Sequence, residues 1–146
     1  MGKKFSILLL SVLLIGISYS QKLTDWKNLE VNKLQQITDT VARITFDAPV
    51  FNEEQQELDG QKISVEGYLT KMETDGIGSG ALYMLQRYKQ SDYGAEYPLD
   101  AIIEVEFKKE PKSVKSDEKV VIKGMLKLNT DDFMHPFYIL QEAKVR

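Results

Sequence analysis

The sequence predicts a mainly β fold: a five-stranded, OB-like antiparallel barrel behind an N-terminal extension of open helix or strand content. Three observations carry this expectation. From residue 58 onward, apolar and polar residues alternate with a period of two over five short segments. Turn-forming or charged residues separate these segments at short intervals. Two of the segments hold an interior glycine, Gly67 and Gly124, the kind of position where a strand bends enough to close a small barrel or sandwich.

Each element follows from local chemistry. Between residues 23 and 46 the signals conflict. Leu34, Ile37, Val41 and Ile44 recur at spacings that suit one helix face. The β-branched residues Ile37, Thr38, Thr40, Val41, Ile44 and Thr45 suit a strand. Asp47-Ala48-Pro49 ends either element, because proline lacks the amide proton and restricts Ala48. Residues 52–57 suit a short helix with Asn52 as N-cap and acids near its positive end.

Asp59-Gly60 is a turn, followed by Ile63, Val65, Gly67 and Leu69 on one face against Ser64, Glu66, Tyr68 and Thr70. Asp75 to Gly80 is a flexible turn. Residues 81–88 form the second strand, with Leu82, Met84 and Gln86 opposing Tyr83, Leu85 and Arg87. A polar loop over 89–100 precedes the third strand, where Ile103, Val105 and Phe107 face inward against Glu104, Glu106 and Lys108. The charged stretch 109–119 contains Pro111 and reads as loop. Val120, Ile122, Gly124, Leu126 and Leu128 share the buried face of the fourth strand, and residues 137–143 form the fifth. No helix is expected between the strands. The chain divides into residues 1–20, an extension over 21–57, and the barrel over 58–146.

Residues 1–20 read as a signal peptide. Lys3 and Lys4 form a positive head, Phe5 to Ile17 an apolar run, and Ser18-Tyr19-Ser20 a small-residue cut site before Gln21. The run is about 13 residues, short of the roughly 20 that span hydrocarbon. The protein is therefore expected to be exported, periplasmic or secreted, without stable membrane insertion after cleavage. The full chain of 146 residues is 42% hydrophobic, an ordinary globular share for one domain. It contains no cysteine, which excludes disulfides, thiolate metal sites and cysteine nucleophiles. Of 19 basic residues two lie in the first 20, so 17 face 22 acids beyond them, a formal charge of −5. Such a domain repels phosphate backbones, so nucleic acid is not an expected partner.

Several residues together form a pattern with a known counterpart. Trp26-x-x-Leu29 and Phe46-x-x-Pro49-x-Phe51 precede Leu58-x-Gly60-x-x-Ile63-x-Val65-x-Gly67-Tyr68-Leu69. Val120-x-Ile122-x-Gly124-x-Leu126-x-Leu128-Asn129 follows. The chain resembles the DUF3299-type family of small exported bacterial proteins, in the shorter form found in the Bacteroidetes. The resemblance implies an exported OB-like domain of unassigned function. Relatives carry a cysteine- or histidine-bearing segment after the second strand, which invites a metal or redox role. Here that place reads Gln90-Ser91-Asp92-Tyr93-Gly94-Ala95-Glu96-Tyr97, so the metal chemistry is not carried over.

Candidate chemistry is sparse. His135 is the one histidine. With Asp131 or Asp132 to orient it and Ser79 or Ser91 as nucleophile, it offers the only conventional catalytic set, and no catalytic motif supports that set. A loop histidine beside turn-forming aspartates is the expected reading, and no cofactor is expected. Asp131, Asp132 and His135 are also the densest set of metal ligands, which supplies the alternative of an envelope metal-handling accessory. Tyr83, Tyr88, Tyr93 and Tyr97 cluster with Arg87. Amphipathic rings beside a guanidinium suit contact with a protein or a small ligand. The expected function is a non-catalytic binding module with those five residues as its contact face.

Overall fold

The structure is a computed structural model that describes residues 23–72, 81–89, 92, 98–115, 118–132 and 134–146. The expected signal peptide, the expected 75–80 turn, Ser79, Ser91, Tyr93 and Tyr97 lie outside the described residues.

The conflict over residues 23–46 resolves into three pieces. A single 3-10 turn, Trp26–Leu29, is capped by Asp25, whose side chain accepts from the Lys27 N–H. Strands β1 (Leu34–Asp39) and β2 (Ile44–Pro49) then form an antiparallel hairpin. The helix-like spacing of Leu34, Ile37, Val41 and Ile44 does not decide the outcome. Asp39 Oδ1 accepts from the N–H groups of both Val41 and Ala42, which fixes a tight turn closed by Arg43 at φ 55°. Thr38 and Thr45 face each other in register and share a 3.0 Å hydroxyl hydrogen bond. Pro49 ends β2, as its chemistry requires. Helix α1 (Glu53–Leu58) is capped by Asn52 as expected, through a reciprocal box with Gln55.

The barrel strands are β3 (Lys62–Met72), β4 (Leu82–Gln86), β5 (Ile102–Phe107), β6 (Lys119–Leu128) and β7 (Tyr138–Val145). They close in the order β3-β4-β5-β7-β6, with β6 pairing back to β3. This is the Greek-key course of an OB-type barrel. One expectation needs correction: β5 and β7 run parallel. A closed ring with an odd number of strands cannot alternate direction all the way round, so five strands force at least one parallel pair.

The alternating faces predict the core well. Ile63, Val65, Leu69, Leu85, Ile103, Val105, Ile122, Leu126, Leu140 and Ala143 are all buried. Trp26, Leu29 and Phe51 from the N-terminal segment join the same cluster. Backbone and side-chain bonds fix that segment in place. The Thr24 N–H donates to the Ser64 carbonyl, and Trp26 Nε1 donates to the Glu66 carbonyl, both at 2.7 Å. The buried Tyr138 hydroxyl donates to the Leu29 carbonyl at 2.9 Å, and burial pushes its phenol well above the usual tyrosine range. Its ring lies tilted against Phe51, with centroids 5.4 Å apart.

Candidate functional site

The β1–β2 hairpin leans over the connection from β6 to β7 and leaves a cleft of about 280 Å³. Phe46, Ala48 and Pro49 of β2, Leu99 and Phe137 supply its apolar walls, while Asp47, Asp131, Asp132 and His135 supply the polar groups. An apolar concavity with a few placed polar groups is the usual form of a small-ligand site.

Asn129 builds the β6–β7 side of this cleft. It is buried, and its Nδ2 is shared among the carbonyls of Asp132, His135 and Pro136 at 2.7, 3.1 and 2.9 Å. Its Oδ1 accepts from the Asp132 N–H, and its own N–H donates to the Phe137 carbonyl. Asp132 Oδ1 in turn accepts from the Met134 N–H. One amide side chain thereby satisfies a turn that has no regular ladder.

His135 is bonded to one carboxylate and lies near a second. Nδ1 lies 2.5 Å from Glu104 Oε2 and donates to it, since an ionised carboxylate only accepts. Nε2 lies 3.5 Å from Asp132 Oδ2. The hydrogen bond that Glu104 accepts raises the imidazole pKa above its ordinary value; desolvation opposes this, and the charges of Glu104, Asp132 and Glu106 add to it. Glu104 is only 5% exposed although it sits on the polar side of β5.

This arrangement bears on each candidate. Nδ1 is taken up by Glu104, Nε2 lies 3.5 Å from Asp132 Oδ2, and Thr130 is the hydroxyl residue in the lining. Asp132 and His135 come together, while among the described residues no group of three or more His, Asp or Glu converges as a metal cage. Asp131 lies in the cleft lining and is exposed.

Of the tyrosine group, the described members Tyr83 and Tyr88 fall in different settings. Tyr83 is 3% exposed, with its ring edge-on to Phe107 at 5.0 Å, so it belongs to the core rather than to an outer face. It shares its side of β4 with Leu85, which points inward. Tyr88 is exposed, and the Arg87 guanidinium lies 5.2 Å above its ring. Arg87 also bonds Glu30 at 2.7 Å, which raises its pKa. It therefore ties the extension to the loop after β4. Sequence reasoning missed Glu104, Asn129, Phe46 and Asp47. Only Asn129, in a turn after an apolar strand, carried a local signal.

Fold and cleft together define a small OB-type barrel that carries a cleft between its N-terminal hairpin and the β6–β7 connection. No family model matches the sequence, and no curated protein matches it. Among solved structures the chain is similar to a DUF3299 family protein from Pseudomonas aeruginosa PAO1. The two are 17% identical, with a TM-score of 0.49, over 87% of this chain and 97% of that one. Neither family membership nor any residue role is transferred from it. No helix among the described residues is long and apolar enough to cross a membrane.

Proposed function

We propose that this chain is an exported, non-catalytic binding module that takes a small ligand with an apolar body and a positive group in the cleft under the β1–β2 hairpin. The observation that carries the reading is the lining itself. Phe46, Pro49, Leu99 and Phe137 offer apolar surface, and Asp47, Asp131 and Asp132 sit beside it. An aromatic or aliphatic amine complements that set: burial of the ring supplies affinity, and the carboxylates select the charge. Export is supported by the lysine head, apolar run and small-residue site of residues 3–20.

Phenethylamine and its neutral analogue 2-phenylethanol, titrated under NMR observation, test this. The amine should bind in about the millimolar range, near −4 kcal/mol. It should shift amides of residues 46–49 and 129–137, and the alcohol should bind more weakly. Asp47→Asn with Asp132→Asn should abolish the preference and leave the fold intact. Equal binding of the two probes, or shifts confined to other residues, would overturn the proposal.

A further inference from the structure

A second concavity lies on the outer face of β6 and β7, and its chemistry is opposite to that of the cleft. Lys62, Lys108, Lys123 and Lys144 line a depression of about 240 Å³ with Gly124, Met125 and Glu142. Four lysines and one glutamate thus line one depression in a domain that is acidic overall.

The backbone is distorted at this point. Met125 pairs with Gln141 and Lys123 with Lys144, so β7 has one more residue than β6 between the two pairs. Against β5 the same region slips, from Val105↔Leu140 to Phe107↔Ala143. Glu142 lies in this bulge with φ 49°, a left-handed conformation that side chains other than Asn and Asp avoid. Bulges re-aim side chains, and strained residues gather at functional sites. The Lys108 N–H donates to the Ala143 carbonyl at 3.2 Å, which brings the end of β5 across to the bulge. Gly124 turns its side-chain position inward, where a Cβ would lie 2.7 Å from the buried Leu140, so the backbone of β6 and β7 packs closely beneath the depression.

The charges are also arranged against the stability of the fold. Lys123 and Lys144 are direct register partners, and like charges opposite one another destabilise a sheet. Lys108, Lys123 and Lys144 enter none of the ion pairs found among the described residues. We propose that this depression is an anion site, in which Lys108, Lys123 and Lys144, with Lys62 at the rim, bind a multivalent oxyanion of the phosphate type. Ammonium groups bind phosphate as point charges, and several converging on one concavity favour a ligand with more than one negative charge. The site does not depend on the cleft.

Inorganic tripolyphosphate is the soluble probe, and vesicles of phosphatidylglycerol in phosphatidylcholine test a lipid headgroup as the source. Tripolyphosphate should shift amides of Lys108, residues 123–125 and residues 142–144, with affinity falling as salt is added. Lys123→Ala with Lys144→Ala should weaken binding about tenfold, the scale of two exposed charge contacts. The same change relieves a like-charge pair, so Tm should hold or rise, which separates lost binding from lost fold. Lys108→Ala, outside the β6–β7 pairing, should weaken binding in the same direction. Lys112→Ala with Lys115→Ala should leave it unchanged. Binding to vesicles alone would assign a headgroup, and binding to tripolyphosphate alone a free ligand. Binding to neither probe, equal binding by the Lys123/Lys144 variant, or shifts mapping elsewhere would overturn the proposal.

Discussion

Gly67 is where β3 changes partners, so replacing it tests how the barrel closes. Tyr68, the next residue, pairs with Lys119 of β6 on one side and Gln86 of β4 on the other. A Cβ at Gly67 would lie 2.6 Å from the Gln86 carbonyl oxygen and 3.1 Å from two carbons of the buried Leu85. The oxygen belongs to the backbone of a paired strand, so relief requires β4 to move away from β3. Overpacking of this kind costs about 1–3 kcal/mol. Loss of glycine's freedom in the unfolded chain returns roughly 0.5–1 kcal/mol. Gly67→Ala should therefore destabilise the domain by about 1–2 kcal/mol. Gly60→Ala is the control: it has φ 73° and no atom within 4 Å of the new Cβ. Its cost comes from the left-handed backbone alone, about 1 kcal/mol. Urea unfolding followed by Trp26 fluorescence measures both. With a slope of about 1.5 kcal/mol per molar, the Gly67→Ala midpoint should fall by roughly 1 M. A shift below about 0.5 kcal/mol at Gly67 would refute the claim that the ring closes through that contact.

Three further outcomes follow from the same contacts. Asn129→Ala strips a partner from the Asp132 N–H and from three carbonyls, and should cost about 2–3 kcal/mol by urea unfolding. The same variant should lose phenethylamine binding while far-UV circular dichroism is unchanged. Tyr138→Phe keeps the ring against Phe51 and removes the bond to the Leu29 carbonyl, so it should cost about 1 kcal/mol. His135 has its folded pKa raised by Glu104, so its stabilising contribution is full below its unfolded pKa of about 6.5. That contribution is lost as pH rises through the higher folded value. The Tm gap between wild type and His135→Gln should accordingly be widest near about pH 5.5 and close toward about pH 9; a gap that widens with pH would contradict the assignment.

The barrel was legible because a half-buried strand imprints its own period: Ile63, Val65 and Leu69 or Ile122 and Leu126 alternate with polar neighbours whatever their partners. The cap of α1 was legible for a similar reason, since Asn52 and Gln55 satisfy each other locally. The hairpin was not. Its apolar spacing fits a helix, and the contest was decided by a side-chain turn at Asp39 and by cross-strand pairing that composition alone does not weigh. The cleft was legible only in fragments. His135 and Asp132 were visible as a pair in one turn. Glu104 lies 31 residues from His135 in the chain and was read as an outward-facing acid, because the loop that covers it comes from a distant part of the sequence. Tyr83 was placed in a contact face on aromatic density, although it shares strand parity with Leu85, and that parity sends it inward.

The parallel seam between β5 and β7 has a consequence for how the chain is made. β7 slots between β5 and β6, and of the five barrel strands it comes last in the chain, so it is made after the other four. Until then β5 and β6 each expose an unsatisfied edge, and Tyr138, Leu140 and Ala143 are missing from the interior. A nascent or truncated chain that stops before Tyr138 is thus an open sheet with adhesive margins, prone to pair with its neighbours. The final eight-residue strand acts as the zip of the molecule.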